Sequence, residues 1–333
     1  MTSTSKPASD RDLGRRQFLE LTVASLAAGV ASACGPRIRR GEAVAARPLD
    51  AAAFHATRRF AELAFGKIAY IERGAGDAAV FLHGAPLNGF QWRGAIDRLS
   101  AHRRCVALDF MGLGYSEIPE PQSVAADAQV AMLAAFLDKL AIGTVDLVAS
   151  DSGGAVAQLF MIKYPGRVRT ALLTNCDVEP DSPPAKVMPV IELARAGKLA
   201  EGLDTWLADQ PLARAQFGQA VYRDPSHPTD ETIAYYWAPL VSSALRRAQY
   251  NAYHVALAPN PLAGIEAALR RCTVPTRIVW GTGDDIFSPA SPDYLDRILA
   301  RSRGIRRIPE GKLFFPEEYP EIIAEEARRL WAS

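Results

Sequence analysis

Short apolar, β-rich runs alternate with helical patterns along most of this chain, and this alternation limits the fold more than any other feature. Helical patterns such as 124–140 and 154–164 lie between several of the runs. The runs occupy residues 67–72, 78–82, 105–109, 145–149, 168–174 and 276–280. Apolar strands connected by helices are typical of a mostly parallel sheet that helices cover on both faces. The sequence therefore predicts an α/β fold.

The alternation stops from about residue 179 to residue 268. This stretch is Pro-rich at first and then helical, and strand character resumes at 276. A helical insertion between two strands of one sheet is typical of a cap and not of a separate domain. We therefore predict an α/β core made of residues 58–178 and 269–333, with a helical cap of residues 179–268 inserted before the late strands.

The first 34 residues have the composition of an export signal. Arg15 and Arg16 precede an apolar run that ends at Val30, and small residues follow up to Cys34. A charged start, a short apolar stretch and small residues are typical of a secretory signal, and adjacent arginines resemble a twin-arginine signal, which exports folded proteins. The run is too short for a bilayer span; a buried N-terminal helix is the alternative.

The end of this signal allows two interpretations. Cys34 after small residues resembles a lipobox, whereas Ala31 and Ala33 also fit a plain leader-peptidase site. We favour the lipoprotein, followed by a tether of residues 35–57. The expected location is periplasmic or otherwise extracytoplasmic, with membrane contact only through a lipid on Cys34.

The charge and cysteine content exclude several classes of function. The formal net charge is +1, so the sequence lacks the excess of basic residues that is typical of proteins that bind nucleic acid or an anionic membrane surface. No Cys/His spacing is of the zinc type, so we predict no metal and no cofactor. Beyond the signal, Cys105, Cys176 and Cys272 lie in or beside predicted strands, which favours small buried hydrophobes over a disulfide framework.

The stretch VDLVASDSGGAVAQLF, residues 145–160, runs from an apolar strand through small residues into a helix. A nucleophile on a sharp strand-to-helix turn needs tiny neighbours two residues away on either side. Asp151 has such neighbours in Ala149 and Gly153, and Ser152 has them in the next register. The strand ends naturally at Ala149, which favours Asp151 as the nucleophile. An ordinary helix N-cap is the structural alternative.

The stretch FLHGAP, residues 81–86, follows the second apolar strand. His83 and Gly84 at this point let a loop turn back over the strand ends. The backbone N–H of Ala85 would then form one half of an oxyanion hole, and the N–H of Ser152 the other half.

Three carboxyl groups are candidates for the acid of a catalytic triad. The stretch WGTGDD places Asp284 just past a late strand, where such an acid belongs. Asp285 is its immediate alternative. We call the strand-to-helix turn at Asp151 the elbow. Asp177 follows the next strand after the elbow and is the other alternative, although a plain loop acid is the simpler interpretation of it.

These motifs together resemble the α/β-hydrolase superfamily. The chain is most similar to the branch with an aspartate nucleophile, namely the haloalkane dehalogenases and their relatives, the epoxide hydrolases and fluoroacetate dehalogenases. The resemblance covers residues 58–333, and it implies an ester intermediate on Asp151 that water hydrolyses with the help of a histidine base. The motifs that carry it are HGAPLNGFQW (83–92), DFMGLGYSE (109–117), ASDSGGAVAQLF (149–160) with YP to 165, WGTGDD (280–285) and FFPEEYPE (314–321).

The sequence departs from this family at three positions that matter for the chemistry. The resemblance implies His-Phe where this chain has Leu313-Phe314, so the general base is replaced by Leu313. It also implies a Trp at Ser152 and an Asn at Ala85, where halide donors are common. We expect Leu313 to pack into the space of the missing histidine. His254 is a candidate replacement base, although its surroundings favour a packed amphipathic helix.

The cap and the oxyanion loop supply aromatic candidates for pocket walls. These candidates are Trp92, Tyr235, Trp237 and His254. Trp206 is a further candidate for a pocket wall. Tyr235, Tyr236, Tyr250 and Tyr253 could supply phenol donors, although ordinary packing is the alternative for each. The resemblance implies a small apolar organic substrate or ligand.

Three functions remain open from the sequence. The first is an exported hydrolase of haloalkane dehalogenase type whose turnover is impaired or altered. The second is a catalytically dead pseudoenzyme that binds a small molecule or serves as a scaffold, and the third is an epoxide hydrolase-like activity. A covalent scavenger, alkylated once at Asp151, lies between the first two.

Overall fold

The computed structural model describes residues 50–332, so the predicted signal and most of the predicted tether lie outside the described residues. Eight strands form a single sheet in the spatial order β1-β2-β4-β3-β5-β6-β7-β8. Their bounds are β1 Arg59–Leu63, β2 Gly66–Arg73, β3 Ala78–Leu82, β4 Arg104–Leu108, β5 Val145–Asp151, β6 Val168–Cys176, β7 Thr276–Gly281 and β8 Ser302–Ile308. From β4 to β8 all neighbours in the sheet are parallel, whereas β1 pairs with β2 and β2 with β4 in antiparallel fashion.

Helices flank the sheet along the whole described chain. In the first part of the core these are α1 Ala51–Ala56, α2 Arg93–Leu99, α3 Ala126–Lys139 and α4 Ser152–Lys163. After β7 come α12 Ser291–Ile298, α13 Phe315–Glu318 and α14 Pro320–Trp331. Strands β3, β5 and β6 are buried nearly throughout, so the core lies between the central strands and these helices.

The helices between β6 and β7 form the segment that we call the inserted helices. They are α5 Met188–Arg195, α6 Leu199–Ala208, α7 Gln210–Ala213, α8 Gln219–Val221, α9 Asp230–Val241, α10 Ala244–Val255 and α11 Glu266–Leu269, with a π-helical turn at Arg214–Gly218. They contact the carboxyl end of the sheet: Ser152 is hydrogen bonded to Tyr253 of α10, and the Phe314 amide donates to Val221. Functional side chains at the strand ends therefore lie close to this segment.

The predicted strands and flanking helices are all present, with ends that shift by a few residues. The sequence analysis missed β1 and β8, which are the two edge strands of the sheet. Both are partly exposed, and β8 carries several arginines, so neither has the continuous apolar run of a buried strand.

Residues 51–56, within the predicted tether, already form helix α1, whose Phe54 is buried against Phe90 and Tyr235. The prediction for the cysteines is confirmed, since Cys105, Cys176 and Cys272 are free and buried. No helix within residues 50–332 is both long and apolar enough to cross a membrane.

Candidate active site

The turn between β5 and α4 forces Asp151 into an unusual backbone conformation. Asp151 has φ 54° and ψ −134°, and Ser152 begins the helix directly after it. Positive φ is uncommon for a residue with a side chain and is found where the surrounding structure imposes it. A Cβ on Gly153 would lie 2.6 Å from the carbonyl oxygen of His83, so only glycine allows the helix to start this close to the neighbouring loop. The tight turn lifts the Asp151 side chain above the end of the sheet.

Backbone amides surround the carboxyl group of Asp151. The Ala85 N–H donates to Oδ2 at 2.7 Å, and the Ser152 amide also stabilises the charged form. Burial nevertheless raises the pKa of Asp151 to about 6, against the opposing effect of these amides. Asp151 keeps some accessible surface in spite of its depth. Both amides that the sequence assigned to an oxyanion hole therefore face this carboxyl.

The loop that carries Ala85 is held from below by two side chains. His83 donates from Nδ1 to the Gly84 carbonyl at 2.8 Å and accepts the Phe110 N–H at Nε2, 3.0 Å away. Gln91, which the sequence analysis did not single out, accepts the Gly84 N–H at 2.9 Å. Burial lowers the pKa of His83, so its ring is neutral. The two hydrogen bonds of this ring stabilise the conformation of the loop.

Asp284 lies past the end of β7, and Asn175 holds it there. Asn175 donates to Asp284 Oδ2 at 2.8 Å and accepts the Gly281 N–H at 2.7 Å, while the Ile286 N–H donates to Asp284 Oδ1 at 3.0 Å. Burial raises the pKa of Asp284 to about 6. Asp285, the alternative acid, is instead exposed and paired with Lys186. The sequence analysis missed Asn175, whose only signal is its place at the end of β6.

The position predicted for a base is occupied by a packed aliphatic side chain. Leu313 is 3% exposed and belongs to the hydrophobic core. The ring of Phe314 lies beside Gly84, where an added Cβ would be 2.8 Å from it, and stacks at 6.1 Å against Phe217 of the inserted helices. No proton acceptor therefore comes from residue 313.

A second group of polar side chains lies around Ser152. Ser152 Oγ and Tyr253 Oη are 3.0 Å apart, and Asp177 Oδ1 accepts a hydrogen bond from Ser182 Oγ at 2.9 Å. Ser152, Tyr253, Asp177 and Ser182 line one small cavity of about 20 Å³. Burial raises the pKa of Asp177 to about 7, and the negative charge of Asp151 adds to this effect.

Two of the predicted pocket aromatics are engaged elsewhere. The Tyr235 hydroxyl oxygen accepts a hydrogen bond from Arg58 at 2.6 Å. The Trp92 ring is fully buried against Phe81, with the two ring centroids 5.7 Å apart.

The other two pocket candidates belong to the inserted helices. Trp237 packs between Trp206 and Phe217. His254 is bonded to the Tyr250 carbonyl, and burial lowers its pKa to about 4. Within residues 50–332, no hydrogen bond or ring contact joins any of the four pocket candidates to Asp151. In the same range no group of three or more His, Cys, Asp or Glu side chains is placed to hold a metal ion.

Comparisons with known proteins agree on one family. A family model described as "Alpha/beta hydrolase family" matches residues 79–326. Haloalkane dehalogenase 2 of Mycobacterium tuberculosis is 26% identical over 271 residues, which cover 78% of this chain and 89% of that protein.

Among solved structures, an alpha/beta hydrolase fold protein from Burkholderia ambifaria superposes with a TM-score of 0.69 at 25% identity, covering 84% of this chain and 98% of that one. The epoxide hydrolase CorEH superposes with the same TM-score at 20% identity, covering 83% and 98%. At that identity the second match demonstrates a shared fold alone.

Proposed function

Because the chain belongs to the alpha/beta hydrolase family, we propose that it is a hydrolase of haloalkane dehalogenase type in which Asp151 is the nucleophile. The observation that carries the proposal is the Asp151 carboxyl itself: it stands on a strained turn at the carboxyl end of β5, 2.7 Å from the Ala85 amide. A helix N-cap would need neither the positive φ nor an amide from a distant loop. The similarity to haloalkane dehalogenase 2 supports the same chemistry.

Asp151 is a better candidate nucleophile than Ser152. The positive φ of the elbow belongs to Asp151, whereas Ser152 is already helical. A serine nucleophile needs an adjacent base, and the hydroxyl of Ser152 is hydrogen bonded to the Tyr253 phenol instead. A carboxylate needs no such activation, since with a pKa of about 6 it is mostly charged at neutral pH.

The first step follows from this arrangement. One carboxylate oxygen of Asp151 attacks an alkyl carbon, the bond from that carbon to its leaving group breaks, and an ester forms on Asp151. The Ala85 and Ser152 amides are placed to stabilise the negative oxygen that develops when water later attacks this ester. Ala85 has no side-chain donor, and the Ser152 hydroxyl is already hydrogen bonded to Tyr253, so the departing group must find other donors or solvent.

The second step, hydrolysis of the ester, lacks the histidine base that the resemblance implies. Residue 313 is a buried leucine, so Asp284 has no histidine there to orient. Loss of a general base typically costs about 10²–10⁴ in rate. We therefore propose that the ester is hydrolysed slowly; a protein that is alkylated once, or one that only binds ligand, is the limiting case.

An epoxide hydrolase-like activity is the second candidate. The phenol of Tyr253 lies 3.0 Å from the hydroxyl of Ser152, the residue that follows the nucleophile in the chain. A phenol in this place could protonate the oxygen of an epoxide as Asp151 opens the ring. A bifunctional epoxide hydrolase 2 from Sus scrofa is 30% identical over 128 residues, although this covers only 23% of that protein.

The test is a burst experiment with a 1-bromoalkane and, in parallel, a terminal epoxide. We expect about one equivalent of bromide per protein, with the mass of one alkyl group added to the intact chain. Asp151→Ala should abolish both signals. Asp285→Asn, a surface carboxyl next to the predicted acid, is the matched control and should behave as the unaltered protein. An intact mass unchanged by both reagents would refute the enzyme and the scavenger together.

We also propose that the chain is exported through the signal in residues 1–34. The paired arginines and the small residues before Cys34 support this proposal. Replacing Arg15 and Arg16 by lysine should leave the precursor in the cytoplasm of a bacterial host, as measured by cell fractionation. An unchanged periplasmic or membrane fraction would contradict it.

A further inference from the structure

We propose that Asp177 is the general base of the second step and that it acts on a water molecule in the cavity beside Ser152. This inference rests on the proposed function, because it supplies the proton acceptor that Leu313 cannot provide. The role differs from that of a triad acid, which would orient a histidine and would not touch water itself.

The sheet register places Asp177 beside the nucleophile. Asp151 is paired with Cys176 across the parallel β5–β6 ladder, so Asp177 is the next residue after the direct partner of Asp151. Neighbouring strands run about 4.8 Å apart. Asp177 therefore follows the end of β6 at the same edge of the sheet as Asp151, on the neighbouring strand.

The cavity beside these residues has the size and the polarity to hold one water molecule. It measures about 20 Å³ and is lined by Ser152, Asp177, Ser182 and Tyr253 among others. A site for water needs about 10–15 Å³ and two to four polar partners, and this cavity satisfies both conditions. Ser152 is one of its walls and is also the residue that follows the nucleophile in the chain.

The cavity lies next to an open groove on the protein surface. An open groove of about 440 Å³ lies on the surface between the start of α3, the end of α4 and the segment after α10. Groove and cavity share Ala126, Ala256 and Pro261 as lining residues. These three side chains are small, so they separate the two spaces by a thin wall.

The hydrogen bonds of the two buried acids favour Asp177 over Asp284 as the base. Both oxygens of Asp284 already accept hydrogen bonds, one from Asn175 and one from the Ile286 amide. Asp177 accepts a side-chain hydrogen bond at Oδ1 from Ser182, and it lines the water-sized cavity. Asp177 lines the water-sized cavity and Asp284 does not, so Asp177 is the acid placed to take a proton from water held there.

Ester formation would itself activate Asp177. Burial and the negative charge of Asp151 raise the pKa of Asp177 to about 7 in the free protein. Once Asp151 is esterified it carries no charge, so the repulsion disappears and the pKa of Asp177 falls. Burial still acts on Asp177, but a larger fraction of it is ionised at the stage of the cycle when a base is required.

The proposed step is balanced. Water transfers one proton to Asp177 while its oxygen bonds to the carboxyl carbon of Asp151, and the ester carbonyl oxygen becomes an oxyanion facing the Ala85 and Ser152 amides. The intermediate collapses by breaking the bond between that carbon and the alkoxy oxygen, which takes the proton back from Asp177. The products are the alcohol and a free Asp151 carboxyl group.

The test separates the two steps. The unaltered protein, Asp177→Asn, Asp284→Asn and Asp285→Asn are loaded with a 1-bromoalkane, freed of excess reagent, and followed by intact mass between pH 5 and pH 9. We expect all four to acquire one alkyl group. Asp177→Asn should then lose it at least about 100-fold more slowly than the unaltered protein, whereas Asp285→Asn should match the unaltered protein. The rate should rise with pH to a plateau as Asp177 ionises, and Asp177→Asn should lack this rise.

Each other outcome has a defined meaning. Asn at 177 keeps an oxygen for Ser182, and a thermal melt checks that the variant is folded. Loss of the alkyl group from Asp177→Asn at the unaltered rate, or a slower loss in Asp284→Asn alone, would overturn the role of Asp177 but leave the nucleophile in place. An adduct that persists indefinitely in the unaltered protein would also overturn the role of Asp177 as base. Failure of the unaltered protein to acquire any adduct would instead overturn the proposed function.

Discussion

The buried ion pair between Arg93 and Glu317 allows the sharpest test of how the 311–320 segment is held in place. Glu317 belongs to the FFPEEYP stretch, three residues after Phe314, and its side chain is 1% exposed; that of Arg93 is 12% exposed. The Arg93 guanidinium lies 2.5 Å from Glu317 Oε1, and Tyr222 of the segment between β6 and β7 donates to Glu317 Oε2 at 2.8 Å. The Glu317 carboxylate thus connects the 311–320 segment to Arg93 of the α/β core and to Tyr222 of the segment between β6 and β7.

The perturbation is Glu317→Gln, which leaves the shape but removes the charge. Burial alone would lower the pKa of Arg93, but the Glu317 carboxylate outweighs burial and raises it, so Arg93 stays charged. Breaking a buried pair by removing one partner costs about 3–5 kcal/mol, because the other charge is left buried and uncompensated. With slightly less than 2 °C of Tm per kcal/mol for a domain of this size, the expected loss is about 5–8 °C.

The assay is thermal and urea unfolding of Glu317→Gln, Arg93→Met and the double variant. If the pair is as buried as its exposure indicates, the double variant should cost less than the sum of the single variants by about 1–3 kcal/mol. Asp285→Asn is the matched control, because it breaks the exposed Lys186–Asp285 pair, whose side chains are 51% and 54% exposed, and should cost at most about 1 kcal/mol. Equal effects of Glu317→Gln and Asp285→Asn, or additive single variants, would refute the reasoning.

Three further predictions follow from the site. Leu313→His should speed loss of the alkyl adduct beyond the rate that Asp177 supports, because it adds a second base, while Leu313→Gln should not; equal rates of loss in both, measured by intact mass, would show that the base position is misplaced. Gly84→Ala should slow adduct formation and cost about 1–3 kcal/mol in urea unfolding, because its Cβ would lie 2.7 Å from Asp151 Oδ2; Gly143→Ala, with nothing within 4 Å of the added Cβ, is the control, and equal effects would contradict the crowding. The unfolding free energy of the unaltered protein, measured relative to Asp151→Asn and Asp177→Asn, should fall as pH rises from about 4 to 7, because the folded-state pKa values of Asp151 and Asp177 lie above the unfolded 3.8. The comparison with the variants cancels the opposite contribution of the buried His83 and His254, whose pKa values burial lowers. A difference that stays constant over this range would contradict the burial of the two acids.

The sequence was sufficient for the fold and for the elbow because both depend on local pattern. The central strands are continuous apolar runs, and the tiny residues around Asp151 are required within a few positions of it. The Ala85 amide could be assigned because the His-Gly turn follows a buried strand in the same way. The resemblance to a known family then fixed the register of the turn.

The supporting side chains could not be found in this way because their partners are distant in the sequence. Asn175 and Asp284 are 109 residues apart, and nothing local to either one reveals the hydrogen bond that joins them. Tyr235 has the pattern of a pocket aromatic, yet its hydroxyl is taken by Arg58, 177 residues away. The edge strands β1 and β8 were missed for a different reason, because a half-exposed strand lacks the apolar signal.

The central claim is that the carboxyl group of Asp151 performs the attack. The most direct measurement is tandem mass spectrometry of the proteolytic peptide that spans the end of β5 and the start of α4, after reaction with a 1-bromoalkane. We predict a single alkyl group carried as an ester by Asp151. Its appearance on Ser152 or on a cysteine such as Cys176, with Asp151 unmodified, would contradict the account.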